Sequence, residues 1–94
     1  MTAKVIRVFE EDHPNGITTR RTLTRVVDVI SVPRRGDRLL VPDVDEPLSV
    51  DRATLVASFT ERAPVSPSPR AIIMTAPEPA ERHAGALALG WRTV

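Results

Sequence analysis

Between Ile17 and Val41 the chain reads ITTRRTLTRVVDVISVPRRGDRLLV, β-branched residues running almost without interruption and broken once by a Pro-x-x-Gly-Asp turn. Side chains branched at Cβ are stiff at χ1 and suit the pleated strand better than the helix. A helix over 18–31 is the rival reading, and its four threonines and valine-rich tail count against it. The stretch therefore predicts a strand, a tight turn and a second strand. It also carries six arginines, Arg20, Arg21, Arg25, Arg34, Arg35 and Arg38, which give the segment a basic side.

The residues before it predict how the first strand folds back. Residues 3–11 (AKVIRVFEE) hold five apolar side chains and read as a strand. Asp12-His13-Pro14-Asn15-Gly16 follows. Proline presets φ at the first central turn position, asparagine suits the second, and glycine takes the left-handed position after it. That order specifies a type I turn closed by a glycine bulge, a three-residue hairpin loop. Opposed residue numbers then sum to about 30. Glu10 faces Arg20, Phe9 faces Arg21, and Val8 faces Thr22, so the acidic trio Glu10, Glu11 and Asp12 answers a basic strand. A second strand from Ile17 to Val32 is long, and a bend or bulge is expected near Arg25–Asp28, where VVDVISV loses phase with the residues before it.

Further along, Arg38–Val41 reads as a short strand, and 42–51 (PDVDEPLSVD) as an acidic loop with a strand start at Leu48–Val50. Residues 52–60 predict a strand with Leu55, Ala57 and Phe59 on one face. Pro64, Pro67 and Pro69 impose an extended loop, and 70–75 (RAIIMT) forms the last strand. Thr75-Ala76-Pro77-Glu78 has capping-box spacing with proline in the first turn. A helix over 77–89 is expected, ended by Gly90, with Ala80, Ala84, Leu87 and Trp91 as its buried stripe.

The strand–Pro-x-x-Gly-Asp–strand element resembles the turn of SH3-like and other small barrels over about ten residues, a pattern that recurs in unrelated families. The expected fold is mainly β: a small curled antiparallel sheet or partly open SH3-like barrel of about five strands, with one short C-terminal helix. All 94 residues belong to a single domain in this reading, 1–76 forming the sheet or barrel and 77–90 the helix.

Composition narrows the chemistry. With no cysteine, neither disulfides nor thiolate chemistry is available. No apolar run approaches the ~18 residues of a membrane span and no leader is recognisable, so a soluble cytoplasmic protein is expected. Net charge is +1, and twelve of thirteen basic residues are arginine, a bias that fits a GC-rich genome. A compact, motif-poor chain also suits a phage or mobile element.

The sites that can be drawn on paper are weak. Glu10, Glu11, Asp12 and His13 alternate across a strand and do not converge on a metal. Asp43, Asp45 and Glu46 lack the twelve-residue calcium-loop pattern. Arg35-Gly36-Asp37 spells an adhesion tripeptide, but its glycine is explained by the turn and its aspartate by a nearby backbone N–H. His83 stands alone on the expected helix. Asp28, between two valines, would be a raised-pKa base if buried, or an arginine's partner across the sheet. No glycine-flanked nucleophile or phosphate loop is present. The sequence therefore predicts a non-catalytic protein-binding or assembly module, with no cofactor, no metal and no small-molecule substrate. The alternative is phosphate-backbone binding through Arg20, Arg21, Arg25, Arg34, Arg35 and Arg38.

Overall fold

In the computed structural model, which describes residues 2–41, 44, 47–55 and 70–93, β1 (Thr2–Asp12) and β2 (Thr18–Asp28) form a long hairpin. Its register runs unbroken from Thr2 opposite Asp28 to Asp12 opposite Thr18, with Glu10 on Arg20 and Phe9 on Arg21 as the turn chemistry predicts. The Gly16 N–H donates to the His13 carbonyl at 3.0 Å, and the Asn15 Oδ1 accepts from the Ile17 N–H at 3.1 Å. The expected bulge near Arg25–Asp28 is not there. β1 matches β2 along its whole length, so no residue has to be absorbed. The apparent loss of phase comes from Arg21 and Arg25, which occupy positions on the core-side face together with Leu23 and Val27. Val29 keeps that phase beyond the strand and packs against the core.

β3 (Arg38–Leu39) pairs with the start of β4 (Leu48–Leu55), and β4 pairs antiparallel with β5 (Ala71–Thr75). Four reversals separate β5 from β1, so β5 returns in the same direction and pairs with β1 in parallel, Ala3 on Ala71 and Val5 on Ile73. The sheet is therefore mixed rather than antiparallel. The fold is mainly β with one short helix and a sheet that is not closed, as expected; among the described residues the sheet has seven strands rather than about five, in the order β3-β4-β5-β1-β2-β7 with β6 beside β1. The register shifts once in the β4–β5 ladder, between Val50 and Arg52, and this shift lets Val50 share the buried face with Ala53. Leu55 is 64% exposed, while Ala57, Phe59 and the proline-rich stretch 64–69 lie outside the described residues.

The chain's end departs most from expectation. Thr75 is the last residue of β5, and its hydroxyl donates to the Ile6 carbonyl at 3.4 Å instead of capping a helix. Glu78 begins β6 (Glu78–Pro79), which lies parallel to β1 at Phe9 and Glu10. The helix α1 spans only Arg82–Ala88, and Ala86 is its buried residue; Ala84 and Leu87 are exposed. Its end is as predicted. Gly90, at φ 95°, lets its own N–H reach the Leu87 carbonyl and the Trp91 N–H reach that of Ala86, both at 3.2 Å. This is a Schellman motif, in which the left-handed residue costs least as glycine. The motif turns Trp91 into the core, and β7 (Arg92–Thr93) then adds to β2 at Leu23 and Thr24.

The core lies on one face of the sheet, where Val5, Phe9, Leu23, Val50, Ile73 and Trp91 meet. In its midst sits a charge. Arg7, 5% exposed, forks onto Glu78, 9% exposed, with Nε–Oε2 at 2.9 Å and Nη2–Oε1 at 2.7 Å. The guanidinium lies 4.9 Å from the Trp91 ring centroid and 5.2 Å from that of Phe9. Removing Glu78 strands the Arg7 guanidinium away from water, and removing Arg7 leaves the buried Glu78 carboxylate, among the described residues, only the longer contact with Arg82, at 4.0 Å. Arg7→Ala or Glu78→Ala should each cost about 3–5 kcal/mol in urea unfolding, whereas the double exchange Arg7→Met/Glu78→Leu should cost far less than the sum.

Candidate functional site

Every element outside the core face bears on which surfaces are open. The His13 N–H to Ile17 carbonyl bond, 2.9 Å, sets the phase of the hairpin. Odd-numbered residues of β1 and β2 exchange backbone bonds across it, and even-numbered ones point theirs away. On the far side of β1 this holds: Thr2 and Glu10 accept there from the N–H groups of Arg70 and Ala80. On the outer side of β2, the same rule directs the backbone groups of Thr18, Arg20, Thr22, Thr24, Val26 and Asp28 outward. Among the described residues, the ladder to β7 covers this edge only at Leu23 and Thr24. Below that point Val26 is 57% exposed and Ile30 fully so.

The six sequence-predicted arginines do not form one surface. Arg20 lies on the outer face, paired with Glu10 at 2.8 Å. Arg21 and Arg25 lie on the core-side face, Arg21 exposed and Arg25 half-buried. Arg38 is exposed on β3, opposite Ser49. Arg34 and Arg35 sit in the turn before β3. There Asp37 accepts the Arg34 N–H at 2.8 Å, as the sequence suggests, and returns its own N–H to the Arg34 carbonyl at 3.0 Å. Gly36 donates to the Val50 carbonyl at 2.8 Å, which docks the turn on β4. This docking brings in an arginine the sequence reading did not select. Arg52 joins Pro33, Arg34 and Arg35 around an open cleft of about 660 Å3, with Asp51 on its rim. The Arg52 Nη2 also rests on the Met74 sulfur at 3.1 Å.

A second, smaller cleft of about 220 Å3 lies between the hairpin and α1, lined by Phe9, Glu11, Thr19, Arg21, Ala80 and His83 among others. His83 packs its ring edge-on to Phe9 at 5.4 Å, which accounts for its place on α1. His13 pairs with the Thr19 hydroxyl at 2.8 Å. Asp28 is exposed opposite Thr2, so burial does not make it a base. Among the described residues no three His, Asp or Glu side chains lie close enough to hold a metal ion, and no helix is long and apolar enough to cross a membrane.

Set against protein-family models, curated proteins and solved structures, the chain matches none of them.

The Arg34–Arg35 turn depends on backbone that L side chains resist, since Gly36 has φ 90°. A Cβ there meets nothing within 4 Å, so the strain is purely conformational. Gly36→Val should cost about 1–2 kcal/mol in chemical unfolding.

Proposed function

We propose that this protein is a non-catalytic protein-binding or assembly module that acts through the open side of its sheet. One observation carries the reading: the outer edge of β2 is eleven residues long and, among the described residues, only the two of β7 cover it. Unpaired strand backbone is a ready template for another chain, and proteins that stay monomeric commonly cover or blunt such an edge. Val26 and Ile30 add exposed apolar side chains beside it. A domain of this size, with shallow clefts and dispersed polar groups, suits surface contact better than catalysis.

A second reading has its own support. Arg34 and Arg35 of the turn and Arg52 of β4 share one open cleft, and three arginines around it suit phosphate oxygens. Both aromatic residues among the described ones, Phe9 and Trp91, are buried, so contact through this cleft would be to the backbone.

Affinity capture from host cells, with and without nuclease, separates the two. Under the assembly reading a stoichiometric protein partner or a defined oligomer survives nuclease and is lost with Val26→Asp or Ile30→Asp. Under the phosphate reading recovery vanishes with nuclease, affinity falls steeply with salt, and Arg34→Glu/Arg35→Glu abolishes binding while Val26→Asp leaves it intact.

A further inference from the structure

Resting on the assembly reading, we propose that the occupant of the β2 edge is β2 of a second copy of this chain, paired antiparallel about a twofold axis at Thr24. The backbone phase limits the choices. Only even-numbered β2 residues point outward, so an antiparallel twofold pairing must set even residues against even ones. One such register places an acid opposite a base: Arg20 faces Asp28 of the second copy, Thr22 faces Val26, and Thr24 faces its own equivalent. On the core-side face the same register sets Arg21 against Val27 and Leu23 against Arg25, so no like charges meet. Moving the pairing by two residues one way opposes Arg21 to Arg25. Two residues the other way opposes Arg25 to itself. Like charges directly opposed across strands are destabilising, and opposite ones favourable.

The charges fit this use. Asp28 is exposed at the end of β2, and Arg20, on the same sheet face, pairs with Glu10 of its own chain at 2.8 Å yet stays exposed enough to meet a second carboxylate. Val26 is 57% exposed, an apolar side chain on an edge strand that the second copy's Thr22 would cover. The cost is small. β7 must leave Thr24, but among the described residues it holds β2 by two, both exposed, while Trp91 stays anchored by its bond to the Ala86 carbonyl. In return about ten backbone hydrogen bonds form across the twofold. β7 thus acts as a removable cover.

Light scattering and sedimentation on the full chain test this directly. The wild type should dimerise in the micromolar range. Arg20→Asp sets two carboxylates against each other across the interface, and Asp28→Arg sets two guanidinium groups against each other. Each should weaken dimerisation about tenfold or more. An equimolar mixture of the two single variants restores both oppositely charged pairs and should form a heterodimer at wild-type affinity. The mixture also guards against a folding artefact, because a misfolded variant could not be rescued by the other. Deleting the residues after Trp91 should tighten the dimer. A wild-type dimer indifferent to both charge changes overturns the β2 register but leaves the assembly reading standing. A wild-type monomer at high micromolar concentration overturns the second copy as occupant, and capture of a different protein, lost with Val26→Asp, would then sustain the broader reading alone.

Discussion

The fork between Arg7 and Glu78 is the contact on which the packing of the C-terminal third depends. β1 runs through the centre of the sheet, and Arg7 stands on its core-side face between Val5 and Phe9. A guanidinium there is tolerable only if its charge and donors are met without water. Glu78 meets two of those donors, and the faces of Phe9 and Trp91 flank the planar group. The ion pair therefore places β6 against β1, and Arg82, 4.0 Å from the same carboxylate, starts the helix beside it. Replacing both charges by apolar groups could hold the core as well. What the pair adds is direction: Glu78 has one place in this core where its charge is matched.

That direction propagates to the open edge. Once β6 is set, α1 follows within a few residues, and the glycine at its end turns Trp91 inward. Trp91 in turn delivers β7 to β2, where the described residues pair at Leu23 and Thr24. Among the described residues, the same chain of contacts that secures the core covers the outer edge of β2 at Leu23 and Thr24 only.

The basic character of the strand segment also divides when it folds. Pleating sends Arg20 to one face and Arg21 and Arg25 to the other, so a run that is continuous in sequence is split in space. The turn at Gly36 then docks on β4 and collects Arg34, Arg35 and Arg52 around one cleft. Proximity along the chain was a poor guide to which arginines could act together. The sheet's register and the turn's docking decided that.

Local chemistry was enough to specify the hairpin, its turn and the register beside the turn, Glu10 on Arg20 to Val8 on Thr22, because Pro14, Asn15 and Gly16 leave one loop geometry, but not that the ladder runs unbroken past Arg25 and ends at Asp28. It also determined the Gly90 helix end and the Asp37 contact with the Arg34 N–H, each made by residues within a few positions of one another. What it could not determine was set by pairs far apart in the chain. Glu78 read as a helix cap until Arg7, 71 residues away, claimed its carboxylate. Arg21 and Arg25 looked like a loss of alternation, although the alternation continued beneath them. The parallel pairing of β5 with β1, the open edge of β2 and the company of Arg52 likewise come from tertiary structure alone. A local signal fixes a conformation that few neighbours can override, whereas a buried charge or a strand edge takes its meaning only from the partner that reaches it.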